Sequence, residues 1–333
     1  MKIVNGLIIK CYNFIISTKI INKNNKVCRR IRAMIYHNIC YECSASFGKK
    51  NGDRLFYVIR CPQENMGLFA LVNYVVSHIF IAEKLNAEPV VDWKYYPNKY
   101  ISSDDTIGKQ NEWEYYFKQC TDISLDDVYR SKNVILSSGI SDIGSKREIL
   151  DDELLSRGRE VYQKYIVLSE YCQKRLNEEI SKLSIQNKRV LGVKCRGTDF
   201  ANASPQFHAK CPGFKQTVDI IDEKEAEWGS FDLIYLATED QKILEAMIQK
   251  YGQRLCYSKS ERFSNTGEQW LSDIYDKENK RNKREDMVDY LVTTYVLASC
   301  DSLIAPIVGG TLGALRISKG YKHKFIFELG QFT

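Results

Sequence analysis

The C-terminal half of the chain alternates between short apolar runs and amphipathic stretches, and this alternation limits the possible fold more than any other feature. From residue 188 onward the successive segments are RVLGVKC, a helical stretch near residues 217–227, FDLIYLAT, QKILEAMIQKYG, RLCYS, DMVDYLVTTYVLASC, SLIAPI, TLGALRIS and KFIFEL. Strands that alternate with helices form a parallel sheet. The pattern therefore predicts an α/β fold, with a doubly wound, Rossmann-like sheet in residues 186–333.

A second strand–helix–strand pattern lies nearer the N-terminus. RLFYVIRCP favours a strand, a loop with Asn65 and Gly67 follows, and FALVNYVVSHIFIAEKL has helical spacing before the short strand AEPVVDW. This βαβ pattern predicts a Rossmann-like N-terminal domain at residues 51–185. Within it, residues 94–145 indicate an irregular insertion with a helical turn in NEWEYYFKQ, and residues 151–183 indicate one or two amphipathic helices.

Positive charge is concentrated at the N-terminus. The net charge is +6, and the first sixty residues carry twelve Lys or Arg against only Glu42 and Asp53. The apolar segment GLIIKCYNFIISTKII is interrupted by polar residues and falls short of the roughly 20 residues that span a bilayer. Residues 1–50 are therefore predicted to form a basic amphipathic arm, which either lies on an anionic membrane surface or packs on its own domain.

Cysteine usage and the charge of the remaining chain exclude other classes of protein. Eleven cysteines are scattered singly from Cys11 to Cys300, and the only CxxC, at Cys40 and Cys43, has no second pair to complete a zinc site. We expect a reducing, cytoplasmic location, with peripheral contact at the inner face of the membrane as an option, and no metal. The slightly acidic remainder lacks a nucleic-acid reader module, so no nucleic-acid partner is expected.

The strongest candidate for chemistry is VKCRGTDF, at the end of the first strand of the C-terminal sheet. Arg196 can fork onto a diphosphate, and Gly197 allows the backbone to approach a ligand closely. Thr198 can donate a hydrogen bond, whereas Asp199 can either hold the guanidinium or cap the next helix. On the residues alone, a structural Arg–Asp pair explains the string equally well.

Three further segments deliver polar groups to the same sheet edge. YLATED brings Thr238 and Asp240, for which helix capping is the competing explanation. IAPIVGGT places Gly309, Gly310 and Thr311 before a helix, where backbone amides can hold an anion or strand and helix can simply pack closely. Asp289 can accept hydrogen bonds from a guanine, or it is an exposed helical acid.

The order and spacing of these motifs resemble those of the fucosyltransferase-like glycosyltransferases. Those enzymes carry a strand followed by HxRR(T/G)D, a strand followed by ATED or ATDE, and a helix ending in LSxCD. The segments GLFALVNYVVSHIFIAEKLNAEPVVDWKYYPNKY, NEWEYYFKQ and VKCRGTDF resemble bacterial surface-polysaccharide proteins of the same superfamily, and the likeness runs from about Leu55 to Phe327.

The resemblance implies a GT-B architecture, in which two Rossmann-like domains face each other across a cleft and the C-terminal domain holds a GDP-sugar. It implies inverting transfer without a metal or cofactor, from GDP-fucose to a glycan or lipid-linked oligosaccharide. Arg196 corresponds to the arginine that contacts the donor diphosphate and Asp199 to the closing aspartate, and both are expected to be catalytic. Asp240 corresponds to the second strand end and is expected to bind the donor. Asn65 and Gly67 occupy the position of the donor-proximal turn.

The chain departs from the family pattern at several positions. Lys194 replaces the motif histidine, Gly197 replaces the second arginine, and Gly309 and Gly310 stand where serines are usual. These departures leave two alternatives open, a transferase for another GDP-sugar and a noncatalytic relative that binds a nucleotide or carbohydrate.

The catalytic base is not specified by the motifs. No Asp or Glu occurs between Asp199 and Asp219. His208 in that interval, or Asp92 on the acceptor side after PVVDW, is the candidate, and each has a competing structural explanation.

Overall fold

The computed structural model describes residues 42–60, 66–96, 98, 107–138, 145–197, 209–264 and 283–331. They divide into two compact units. The first unit contains the described residues before Ile143 together with Val161–Tyr171, and the second contains those in Gly144–Glu160 and from Cys172 onward. The predicted arm lies outside the described residues up to residue 41.

The first unit is built on the predicted βαβ pattern. Its elements are β2 (Phe56–Arg60), α1 (Leu68–Lys84) and β3 (Glu88–Asp92). Strands β2 and β3 pair in parallel, with Arg60 opposite Asp92. All five residues of β2 are buried, as expected for a strand covered on both faces.

Two short strands extend this sheet beyond the prediction. They are β1 (Cys43–Ala45) and β4 (Val134–Leu136), and the strand order is β1-β4-β2-β3. Strand β4 pairs in parallel with β2, and β1 pairs antiparallel with β4. The helical turn predicted in NEWEYYFKQ is α2 (Trp113–Tyr116). The rest of residues 94–145 is not wholly irregular, since it also holds β4 and a second helical turn, α3 (Leu125–Val128). A strand of three residues is too short to show a period of two in the sequence.

Three helices follow the first sheet. They are α4 (Ser145–Leu150), α5 (Asp152–Tyr165) and α6 (Glu170–Leu183). All three fall within residues 51–185, the predicted N-terminal domain, but α4, the start of α5 and nearly all of α6 belong to the second unit. Helix α4 packs against the helix Gly309–Ile317, where Glu148 forms a buried ion pair with Arg316. On α6, Arg175 pairs with Glu285 and Asp289.

The second unit confirms the predicted parallel sheet. Its strands are β5 (Val190–Lys194), β6 (Leu233–Ala237), β7 (Leu255–Cys256), β8 (Ser302–Pro306) and β9 (His323–Phe327). Its helices are α7 (Phe214–Trp228), α8 (Gln241–Tyr251), α9 (Lys283–Ala298) and α10 (Gly309–Ile317). The described strands all pair in parallel, in the order β7-β6-β5-β8-β9.

This strand order creates a switch point between β5 and β8. The chain builds outward from β5 through β6 to β7, and then returns to the other side of β5 to form β8 and β9. Loops that leave two such adjacent strands run in opposite directions, which opens a crevice at the carboxyl edge of the sheet. The loops after β5 and β8 are those that carry Arg196 and Gly309.

The burial of a histidine predicts that the stability of the first unit depends on pH. His78 on α1 is fully buried beside the Tyr57 hydroxyl, 3.0 Å from Nδ1, and burial lowers the pKa of His78 to about 4. Because the unfolded chain takes up this proton near pH 6.5 and the folded chain does not, stability is lost as the pH falls from 6.5 toward 4. We expect a loss of about 2 kcal/mol between pH 7 and pH 5, measured by urea unfolding.

The variant His78→Gln is the control for this pH dependence. Its side chain keeps a polar partner for Tyr57 but does not titrate, so its unfolding free energy should vary less over the same interval. A slope as steep as that of the wild type would mean that other groups cause the loss.

Candidate active site

Lys194 ends β5 at the switch point with a deeply buried side chain. Its residue exposure is 5 %. Among the described residues no carboxylate pairs with its ammonium, which lies 5.4 Å from the centre of the Tyr290 ring on α9. Burial lowers the pKa of Lys194, and the nearby Glu239 carboxylate opposes this effect. A buried ammonium is costly unless an opposite charge lies beside it, so this position favours the binding of an anionic ligand.

Arg196 lies two residues further along the same edge. Its Nε atom is 3.6 Å from Oε1 of Glu239, and its side chain is 22 % exposed. The same Glu239 oxygen accepts a 2.9 Å hydrogen bond from the Gly197 amide. Glu239 therefore fixes both the guanidinium and the backbone that carries it, while part of the arginine reaches solvent.

Gly197 has no space for a side chain. A β-carbon there would overlap Oδ2 of Asp240 and would lie 2.9 Å from its Cγ. Any side chain at position 197 would therefore require the Asp240 carboxylate to move.

Asp240 acts as the N-cap of α8. Its Oδ1 atom accepts hydrogen bonds from the amides of Lys242, at 2.8 Å, and Ile243, at 3.1 Å. The Thr238 hydroxyl in turn accepts a 3.2 Å bond from the Asp240 amide. The structure thus favours the capping interpretation for Asp240, while the Thr238 hydroxyl holds the turn before the helix, and the two residues shape the loop that presents Glu239.

The Gly309–Thr311 loop forms the first turn of α10. The Thr311 amide already donates to the Val308 carbonyl, and the Thr311 hydroxyl donates to the Pro306 carbonyl at 2.7 Å. The amides of Gly309 and Gly310 precede the first intrahelical bond, so they point out of the helix N-terminus. Gly310 also packs against Tyr290, whose hydroxyl would lie 2.5 Å from a β-carbon at this position.

Asp289 is engaged by an arginine in the structure. Its Oδ1 atom lies 2.6 Å from Arg175 Nη2, and Arg175 also contacts Glu285 at 2.6 Å. Burial raises the pKa of Asp289, and Arg175 opposes that shift. A guanine contact by Asp289 would have to share this carboxylate with Arg175.

The remaining candidates are distributed as follows. Gly67 lies at the N-cap of α1 in an extended conformation, and its carbonyl accepts from the Leu71 amide at 3.0 Å. Asn65, Thr198, Asp199 and His208 lie outside the described residues. Their assignment to the site stays a prediction.

Asp92 is fully buried in the first unit, and its carboxylate is used for local structure. Oδ1 accepts from the amides of Lys94, at 2.9 Å, and Tyr95, at 3.1 Å, and Oδ2 accepts from the Tyr129 hydroxyl at 2.5 Å. Its exposure is 0 %. This geometry favours the structural explanation over a role as the catalytic base.

The variant Asp92→Asn tests that explanation. The amide replaces a charged acceptor of three hydrogen bonds, so the free energy of unfolding should fall by about 2 kcal/mol, as measured in urea. The rate of transfer per folded molecule should remain within about threefold of wild type, because the Asp92 side chain is fully buried and does not reach a bound substrate. A loss of turnover by orders of magnitude at unchanged stability would instead assign Asp92 to catalysis.

Two residues of this site were not selected from the sequence. Glu239 lies inside YLATED, between two residues that were selected, so its position next to a strand end was an available signal. Tyr290 carries no local signal, because only the packing of α9 against β5 and α10 brings it beside Lys194 and Gly310.

In the part of the chain that the structure describes, no group of three or more His, Cys, Asp or Glu side chains is arranged to hold a metal ion. Within the same residues, no helix is both long and apolar enough to cross a bilayer.

Comparison with known proteins gives matches among solved structures only. The fucosyltransferase NodZ from Bradyrhizobium matches with a TM-score of 0.47 at 14% identity, over 78% of this chain and 92% of that chain. POFUT1 in complex with GDP matches with a TM-score of 0.43 at 11% identity, over 83% and 99% of the two chains. A FUT1 mutant of Arabidopsis thaliana in complex with GDP matches with a TM-score of 0.42 at 10% identity, over 90% and 74%.

No protein-family model and no curated protein sequence matches the chain. A second NodZ structure, an alpha-1,6-fucosyltransferase soaked with GDP-fucose, matches with a TM-score of 0.46 at 13% identity, over 80% of this chain and 93% of that chain.

Proposed function

We propose that this protein is a glycosyltransferase that transfers fucose from GDP-fucose to a hydroxyl group of a glycan or a lipid-linked oligosaccharide. The observation that carries the proposal is the convergence of Lys194, Arg196 and the N-terminus of α10 at the switch point of the second sheet. Two cations and a helix N-terminus complement a diphosphate, which is the leaving group of a nucleotide sugar.

The cationic residues act on the departing diphosphate. As the bond between the sugar and the phosphate breaks, negative charge accumulates on the leaving oxygens while the sugar becomes oxocarbenium-like. Arg196 offers a planar guanidinium that Glu239 already orients, so little reorganisation is needed when that charge develops. The fixed charges of the chain take the place that a metal ion has in other transferases.

Lys194 contributes charge of a different kind. Its ammonium is compact and buried, and the burial that lowers its pKa also strengthens its attraction to an anion that enters the site. A bound diphosphate would compensate the ammonium and raise its pKa again. We therefore assign Lys194, in place of the family histidine, to the donor diphosphate.

Deprotonation of the acceptor is assigned to His208. The Asp92 oxygens are occupied by three hydrogen bonds, whereas histidine titrates close to neutral pH. His208 would accept the proton of the attacking hydroxyl as the acceptor oxygen bonds to the anomeric carbon. Attack opposite the departing diphosphate inverts the configuration at that carbon.

Release of GDP from GDP-fucose tests the proposal. The full chain is incubated with GDP-fucose and a panel of glycan and lipid-linked acceptors, and free GDP is measured. Acceptor-dependent release supports the proposal. If acceptor-dependent GDP release occurs with a different GDP-sugar and not with GDP-fucose, the donor is that other sugar. If GDP binds tightly but no GDP-sugar releases GDP, the protein is a noncatalytic binding protein.

A further inference from the structure

Tyr290 places a hydroxyl group where the first turn of α10 lacks one. The residues that begin α10 are Gly309 and Gly310, and the Thr311 hydroxyl is donated to the Pro306 carbonyl. The space beside Gly310 that a side chain would occupy is taken by the Tyr290 hydroxyl, 2.5 Å from the position of a β-carbon. A hydroxyl from α9 therefore stands at the place of a residue-310 side chain.

The surroundings of this hydroxyl point to an anion. The Tyr290 ring lies under the Lys194 ammonium, whose residue is 5 % exposed and has no ion pair among the described residues. The same ring also lies against the N-terminus of α10, where the first amides point outward. Tyr290 as a residue is half-buried, between the Lys194 ammonium and the first turn of α10.

The protonation state of Tyr290 suits a donor. Burial raises the pKa of Tyr290 to about 12, so the phenol keeps its proton at neutral pH and can donate a hydrogen bond. The positive charge of Arg196 lowers the pKa of Tyr290 and the negative charge of Glu239 raises it, but burial has the largest effect.

We propose that Tyr290 is a ligand-binding residue, whose hydroxyl donates to a phosphate oxygen held between Lys194 and the N-terminus of α10. This deepens the proposed function, on which it rests for the identity of the anion. It makes α9, and not the glycine turn itself, the source of the hydroxyl donor at this site.

The spacing around Gly310 permits an exchange experiment. In Tyr290→Phe the ring remains under Lys194, but the hydroxyl is removed. A serine at position 310 would then meet the ring carbon Cζ at 3.5 Å and Cε2 at 3.8 Å, which are ordinary contacts. The double variant Tyr290→Phe with Gly310→Ser therefore moves the hydroxyl from one element to the other, while Tyr290→Phe with Gly310→Ala fills the space without a hydroxyl.

Binding of GDP and of inorganic pyrophosphate to the full chain is measured by calorimetry for each variant. Loss of one hydrogen bond to a charged ligand should make Tyr290→Phe about tenfold weaker for both probes. Gly310→Ser alone should bind more weakly as well, because its β-carbon crowds the tyrosine hydroxyl. The serine double variant should return to within about threefold of wild type, and the alanine double variant should remain weak.

The outcomes separate the inference from the proposed function. Pyrophosphate binding without GDP binding would overturn the nucleotide-sugar assignment, while the ranking of the variants with pyrophosphate would still decide the role of Tyr290. Three results would overturn the inference. Tyr290→Phe could bind both probes with wild-type affinity, the two double variants could bind with equal affinity, or the wild type could bind neither probe. Circular dichroism and thermal unfolding establish that each variant is folded.

Discussion

Alanine at position 196 is expected to lower the rate of fucose transfer by about 10²-fold or more, which corresponds to about 3 kcal/mol of transition-state stabilisation. Arg196 is held at the sheet edge by Glu239, 3.6 Å from its Nε atom, and its side chain is 22 % exposed. In the proposed reaction, a guanidinium held in this way would stabilise negative charge that appears only as the diphosphate departs. The effect should therefore appear mainly in kcat, measured as acceptor-dependent GDP release.

Lysine at position 196 should restore little of this activity. Its ammonium is a point charge without the planar fork of donors that binds two phosphate oxygens. The matched control is Arg254→Ala, which removes another arginine of the second unit that pairs with Glu225 and is 42% exposed. The control should stay within about twofold of wild type, and more than a tenth of wild-type activity in Arg196→Ala would contradict the proposed role.

Breaking the ion pair between Glu148 and Arg316 is expected to cost about 3–5 kcal/mol in the free energy of unfolding. The two side chains are 4% and 1% exposed, and Arg316 Nε donates to Glu148 Oε1 at 2.6 Å, with a second contact between Nη2 and Oε2. Gly158 on α5 covers the pair so closely that a β-carbon there would overlap Oε1. Glu148→Gln or Arg316→Met therefore leaves a charge in a space that water cannot easily enter.

A paired hydrophobic replacement is the control for that cost. In Glu148→Leu with Arg316→Met both charges are removed together, and buried pairs replaced in this way are often neutral or more stable. Urea unfolding of the two single variants and the double variant forms a mutant cycle. Additive losses in the double variant would show that packing, and not an uncompensated charge, sets the cost.

The parallel sheet of the second unit could be predicted because four of its five described strands are mostly apolar runs of five residues and successive strands are separated by a helix. Val190–Lys194 and Leu233–Ala237 are fully buried runs of five residues that differ clearly from their surroundings. By contrast, Val134–Leu136 forms a strand through its pairing with Phe56–Arg60. Three residues carry no local sequence pattern that predicts this pairing. Tertiary contacts thus decide the shortest elements.

The site could be predicted to the level of the loops, but not to the level of the contacts. VKCRGTDF and IAPIVGGT follow adjacent parallel strands, so their meeting at one edge follows from topology. That Lys194 is buried over Tyr290, and that Asp289 is held by Arg175, depends on distant residues on α9 and α6. Such pairings have no signature in a single sequence.

The contact between Gly197 and Asp240 has a consequence for engineering. The Asp240 carboxylate both caps α8 and fills the space beside Gly197. The conformations of the loop after β5 and the loop after β6 therefore depend on each other. Placing an arginine at position 197 would require a matched change at position 240, and that change would remove the cap of α8.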